Sequence, residues 1–216
     1  MKNYQYILFD LDGTLTNSQL GITTCVAYAL ESFGIHTENP EELRKFIGPP
    51  LKESFVKYYN MTDGEGDRAV EKYRERFATV GLYENEVYAG IPELLQKLKA
   101  QGKMLLVATS KPTVYSDKIL EHFGLKEYFS YIAGSELDGT RVNKAEVIQY
   151  ALEQMKITES EKIVMIGDKE HDMIGAGICG VDSIGVLYGF GEREELENHG
   201  ATYIAETVSD LEKILL

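Results

Sequence analysis

The 216-residue chain has little of what marks a disulfide scaffold, a zinc protein, a membrane protein or a nucleic-acid binder. It has two cysteines, Cys25 and Cys179, far apart and without metal-type spacing, so reduced thiols in a cytoplasmic protein are expected. Its four histidines, His36, His122, His171 and His199, are scattered and form no Cys/His cluster suited to zinc. No apolar run approaches the length needed to span a bilayer. Met1-Lys2-Asn3-Tyr4-Gln5 runs straight into an apolar strand, so no signal peptide is expected. Positive charge is scarce, with 22 Lys and Arg against 35 Asp and Glu and a formal net charge of -13. That argues against nucleic acid or an anionic membrane as a partner. An anionic substrate would need positive charge concentrated locally by a metal ion, a lysine or aimed backbone N–H groups.

What is present is concentrated at Tyr6-Ile7-Leu8-Phe9-Asp10-Leu11-Asp12-Gly13-Thr14-Leu15. An apolar strand ends in two carboxylates at alternate positions, which face the same way if the extended geometry holds through Leu11. Two carboxylates about 4 Å apart repel by roughly 4 kcal/mol at an effective dielectric of about 20. A cation, a shared proton or a chemical task would offset that cost. The plain alternative is a solvated strand exit, since Asp-Gly is a common turn dipeptide.

Downstream the pattern divides. From 18 to 82 it is helical: Ile22, Val26, Ala29, Leu30 and Phe33 make one stripe, and Ala69, Val70, Tyr73, Phe77 and Val80 another. Thr62 and Glu65 have capping-box spacing, and Pro49-Pro50 breaks the run between the stripes. After Gly90, strands at 104–108, 131–133, 163–166, 183–187 and 202–205 alternate with helices. This predicts an α/β fold with a doubly wound, Rossmann-like parallel sheet. The expected division is a core of 1–17 and 86–216, with 18–85 inserted as an all-helical cap beside the ligand end of the sheet.

Polar residues gather where the buried strands end. The first strand ends in Asp10 and Asp12, the second in Thr109 and Ser110, and strand 163–166 in Gly167 and Asp168, with Asp172 a helical turn later. In a parallel sheet these endings share one edge. Each has a plain reading: Thr109-Ser110 as a helix cap, Asp168 as an N-cap, Asp172 as a first-turn acid. Together they suit a hard divalent cation with oxygen ligands, magnesium rather than zinc. Asp10 could attack phosphorus and form an aspartyl-phosphate, and Asp12 could protonate the leaving alkoxide and then deprotonate water.

These residues resemble the haloacid dehalogenase superfamily, in its phosphoglycolate phosphatase-like branch with a small helical cap. The first motif reads Asp10-Leu11-Asp12-Gly13-Thr14, the second Val107-Ala108-Thr109-Ser110-Lys111-Pro112, the fourth Gly167-Asp168-Lys169-Glu170-His171-Asp172. The resemblance implies that Asp10 is nucleophile and metal ligand. It makes Asp12 the acid/base, with its carbonyl on the metal, and Asp168 the third protein ligand. Thr109 and the Ser110 N–H would bind phosphate, and Asp172 would support metal-bound waters. Lys144 matches the third-motif lysine, although Ala145 follows where relatives often have proline; an ordinary solvated lysine is the alternative. A second departure is Asn17, where relatives often carry aspartate. In the cap, Lys52 follows Gly48-Pro49-Pro50-Leu51 and is a candidate for a substrate anion, as is Arg141 in the core; both also read as surface residues.

The implied activity is a magnesium-dependent phosphomonoesterase acting on a small phosphate ester, phosphoglycolate-like or a nucleoside 5'-monophosphate, as a monomer or homodimer. Rival readings are a phosphomutase of the β-phosphoglucomutase type, a pyrophosphatase, and a non-catalytic phospho-receiver or metabolite-binding regulator.

Overall fold

The computed structural model describes residues 2–216. By its internal contacts the chain forms two compact units, Met1–Thr16 with Val87–Leu216, and Asn17–Glu86.

The first unit is built on six parallel strands: β1 (Tyr6–Phe9), β4 (Met104–Pro112), β5 (Tyr131–Ser135), β6 (Ile163–Gly167), β7 (Asp182–Val186) and β8 (Tyr203–Ala205). Their order is β5-β4-β1-β6-β7-β8. Tyr6 is level with Met104 on one side and Ile163 on the other, and Phe9 with Val107 and Ile166. The chain therefore builds outward from β1 in one direction through β4 and β5, then returns to build in the other through β6, β7 and β8. β1 sits at the topological switch point, where open α/β sheets form a crevice at the strands' carboxyl ends.

The helices of this unit are α4 (Ile91–Ala100), α5 (Thr113–His122), α6 (Lys144–Met155), α7 (Glu170–Ile178), α8 (Arg193–Asn198) and α9 (Val208–Leu215). α6 packs over β4 and β5 and against α7. Its inward positions Val147, Ile148 and Ala151 are fully buried on Leu8, Leu106 and Met165 of the sheet. Burying Val147 and Ile148 stabilises by about 1.5–3 kcal/mol each. A charge at Val147 would break this packing and with it the seat of Lys144, three residues earlier.

The second unit is helical, with α1 (Gln19–Glu31), α2 (Leu51–Tyr59) and α3 (Asp63–Arg76). Pro50 ends the broken stretch and caps α2. Thr62 and Glu65 form the capping box expected for α3: the Thr62 hydroxyl accepts from the Glu65 N–H, and Glu65 accepts from the Thr62 N–H at 2.9 Å. After α3 the chain widens into a single π turn, Phe77–Gly81. Gly81 lies against α1 so closely that a Cβ there would come within 2.5 Å of the buried Cys25 Sγ. The chain enters this unit through the short strand β2 (Thr16–Asn17) and leaves through β3 (Glu86–Val87). These two short strands and the π turn went unpredicted, because two-residue strands carry no periodicity and a π turn keeps a helical pattern.

Candidate active site

The Asp10 N–H donates to the Ile166 carbonyl at 2.9 Å, the last rung joining the first strand to β6. The strand itself ends at Phe9, so Asp10 and Asp12 do not continue one pleat. The chain tightens instead. Leu15 and Thr16 N–H groups both donate to the Leu11 carbonyl, and Gly13 N–H to the Thr16 carbonyl. Gly13 has φ +80°, and a Cβ there would sit 2.2 Å from Asp168 Oδ2, so both the turn and the close approach require glycine.

The consequence is that each acid meets its own lysine. Asp10 Oδ1 accepts the Leu11 N–H at 2.8 Å and lies 2.9 Å from Lys144 Nζ. Asp12 Oδ2 lies 2.8 Å from Lys111 Nζ. The repulsion expected between the two carboxylates is offset locally, by one ammonium each.

Lys144 is the first residue of α6, behind an Asn143 side chain that accepts the Ala145 N–H. A cation at a helix N-terminus opposes the helix dipole by about 0.3–1 kcal/mol. Burial opposes the charge further. The Asp10 and Asp172 carboxylates outweigh both, and they hold the Lys144 ammonium above its ordinary pKa. Its Nζ is 2.8 Å from Asp172 Oδ1 and donates to the Ala108 carbonyl at 3.1 Å. One buried lysine thus ties the ends of β1, β4 and α7 together.

Asp172 is both a helix acid and a site acid: its Oδ2 accepts the Lys169 N–H at the start of α7. A Cβ at Gly167 would lie 2.1 Å from the Asp172 carboxyl carbon, so a side chain at the end of β6 is excluded. Burial pushes Asp172 up to about 6; Lys144 opposes the shift and Asp10 adds to it. Asp168 is almost fully buried, and burial followed by the Asp172 and Asp10 charges raises it well above the usual carboxylate range. Its Oδ2 accepts the Phe190 N–H at 2.8 Å.

Thr109 is buried, and its hydroxyl accepts the Lys111 N–H at 3.2 Å. The Ser110 carbonyl accepts the Ser135 hydroxyl, which fixes the end of β4 to β5. Lys52, in the second unit, is half-exposed and paired with Asp67 at 2.9 Å. Arg141 pairs with Glu136 of the β5–α6 connection and lies 3.9 Å over the ring of Tyr150 on α6; neither partner belongs to the acid cluster.

Sequence reasoning assigned no role to Lys111 or to the segment Tyr188–Gly191. Lys111 stands beside Thr109-Ser110 in the second motif, and that adjacency was its signal. The later segment carries a Gly-Phe-Gly pattern directly after a buried strand. Phe190 braces Asp168 from it, and the Tyr188 hydroxyl donates to the Thr14 carbonyl.

Asp10, Asp168 and Asp172 each offer a carboxylate oxygen, all within 4.8 Å of one another. Together with Asp12, four buried carboxylates face the two ammonium groups of Lys111 and Lys144. With every group ionised, two negative charges remain, which one divalent cation would balance. The donors are all hard oxygens, so the residues present fit Mg2+.

Likenesses to known proteins agree with this geometry. The family profile of the haloacid dehalogenase-like hydrolases matches residues 7–186, which include every acid and lysine of the cluster. The chain belongs to that family. Its sequence is 46% identical over 212 residues to a 5'-nucleotidase of Pseudomonas aeruginosa, covering 98% of this chain and 96% of that one. It is 35% identical over 214 residues to the tyrosine-protein kinase PtkA of Mycobacterium tuberculosis, covering 98% of this chain and 72% of that one. A predicted phosphatase from Clostridium acetobutylicum, solved by crystallography, superposes with a TM-score of 0.96 at 52% identity, covering 99% and 98% of the two chains. This haloacid dehalogenase-like hydrolase is an enzyme, a phosphatase. Among its described residues no helix is long and apolar enough to cross a membrane.

Proposed function

We propose that the protein is a magnesium-dependent phosphomonoesterase that hydrolyses a small phosphorylated metabolite through an aspartyl-phosphate. The observation that carries this is the pairing of Asp10 with Lys144 inside a cluster of buried acids whose charge two lysines leave half-balanced. The 46% identity to a 5'-nucleotidase makes a nucleoside 5'-monophosphate the first substrate to test.

Asp10, Asp168 and the Asp12 carbonyl would hold the ion, with Asp172 supporting its waters. When bound, Mg2+ supplies charge neutralisation to the phosphoryl oxygens. The chain's own residues do the rest. Lys144 and Leu11 N–H hold Asp10 Oδ1, which fixes the carboxyl and assigns attack on phosphorus to Oδ2. Asp12 gives a proton to the departing ester oxygen and later takes one from the attacking water. Thr109 and the Ser110 N–H seat the phosphate. Residues 1–17 and 86–216 serve as the catalytic core, and 18–85 serve as a cap that selects the ester. There Lys52 would exchange Asp67 for a substrate anion.

The test is a screen of phosphorylated metabolites with Mg2+, followed by acid-quench trapping on the best substrate. Phosphate covalently bound to the wild-type chain and missing from Asp10→Asn is the expected result. Turnover that persists in Asp10→Asn, or in chelator, would overturn the reading. Transfer to a second sugar hydroxyl in place of water would favour the phosphomutase alternative.

A further inference from the structure

Lys111 and Asp12 form a buried ion pair separate from the two that Lys144 makes with Asp10 and Asp172, and in the proposed chemistry only Asp12 has a role. Their side chains are 6% and 12% exposed, and Nζ lies 2.8 Å from Asp12 Oδ2. Asp12 Oδ1 is buried with no hydrogen-bond partner among the described residues. A buried carboxylate oxygen left bare in the resting fold is costly, and such oxygens are rare unless used. The two oxygens of one carboxyl are thus in opposite situations: one held by a cation, the other unclaimed.

We propose that Lys111 is the positioning residue for Asp12, clamping Oδ2 so that the catalytic proton is carried on Oδ1. An N–H donor on Oδ2 makes that oxygen the acceptor, and a proton on the same carboxyl then belongs on the other oxygen. The clamp also removes rotational freedom about the Asp12 side chain, so Oδ1 keeps one direction through both half-reactions. In the first, Asp10 Oδ2 bonds to phosphorus, the P–O bond to the leaving group breaks, and the Oδ1 proton passes to that oxygen, releasing a neutral alcohol. In the second, Oδ1 accepts a proton from water as the water oxygen bonds to phosphorus. The Asp10–phosphorus bond breaks, and inorganic phosphate and the Asp10 carboxylate are restored. Lys111 itself neither gains nor loses a proton. Its location explains the choice of residue: β4 runs on to Pro112 past its last pairing with β1 at Val107, its register with β5 shifts after Ala108, and Lys111 Nζ reaches Asp12 from this segment.

This inference rests on the acid/base role proposed for Asp12, and the experiment separates the two. A 4-nitrophenyl ester leaves without needing a proton, whereas an alkyl phosphate ester needs one. Leaving-group release is measured in a single turnover with Mg2+ for both esters. Lys111→Met is expected to slow alcohol release by about 10²-fold or more and nitrophenolate release by less than about tenfold, the mark of lost acid catalysis. Lys111→Arg restores most of the alcohol rate, because it returns a cationic donor. Should Lys111→Met not fold, Lys111→Gln is judged by the same ratio. Equal slowing of both esters by the Lys111 variants, with Asp12→Asn still discriminating between them, overturns the role of Lys111 alone. If Asp12→Asn also fails to discriminate, the acid assignment of Asp12 falls, and this inference falls with it.

Discussion

The unit formed by residues 2–16 and 87–216 buries four carboxylates and two ammonium groups together. The unit of residues 17–86 keeps its charged pairs Lys52–Asp67, Lys72–Glu75 and Arg76–Glu84 at or near the surface. The same types of residue do opposite things in the two settings. In the first unit, burial raises Asp168 and Asp172, and the acids persist at a cost to stability. In the second, the guanidinium of Arg76 grips Glu84 through two short bonds, 2.6 and 2.8 Å, and lowers its carboxyl below the usual range. Exposed and half-exposed pairs of this kind are screened by solvent and contribute only modestly to the fold.

The contrast is broken most severely at the nucleophile. Asp10→Asn is expected to lower turnover by about 10⁴-fold or more on every substrate while the fold persists, as steady-state assays with circular dichroism will show. Gly167→Ala comes next. The new methyl would displace the Asp172 carboxyl, and a shift of about 1 Å at a reacting site costs about 10²-fold. The check is kcat on the best substrate, together with weakened Mg2+ binding by calorimetry.

The pH response should then differ in sign between the units. Asp172 is raised in the fold, so its stabilising contribution is complete below the unfolded value of 3.8 and is lost as pH rises through about 6. Metal-free protein is therefore expected to hold its site segments more tightly at pH 5 than at pH 7.5, and Mg2+ to raise Tm more at the higher pH. Glu84 is lowered, so its contribution is complete above the unfolded value of 4.5 and disappears as pH falls through its depressed folded value. Hydrogen exchange resolved by segment reads both, and parallel slopes in the two units would erase the distinction. The smallest effect is at Lys52. Lys52→Ala should leave Tm essentially unchanged and alter the ranking of substrates more than the hydrolysis of 4-nitrophenyl phosphate.

The six strands were legible because parallel strands buried on both faces read as apolar runs, as in Leu105-Leu106-Val107 and Val164-Met165-Ile166. Asp10, Asp168 and Asp172 were legible because each ends or follows such a run. Lys144 could be picked out by the apolar stripe of α6 behind it, since Val147, Ile148 and Ala151 are indeed its buried face. The partnership of Lys111 with Asp12 could not be read, because Lys111 lies near the end of β4 and Asp12 in the turn after β1, and only the pairing of β1 with β4 brings the two segments together. Phe190 was hidden for another reason. It acts through its backbone N–H, a group every residue but proline carries, so its identity signals nothing.

Each unit holds one thiol. Cys25 is sealed in the helical unit beneath Gly81, with the Arg76 guanidinium 3.3 Å from its sulfur. Cys179 lies half-buried at the end of α7, its Sγ 3.5 Å from the Ala145 carbonyl. A thiol reagent can reach Cys25 only when α1 parts from the π turn, and it reaches Cys179 when the end of α7 loosens. The chain thus carries two internal clocks, and their labelling rates would time the opening of each unit separately, without any engineered probe.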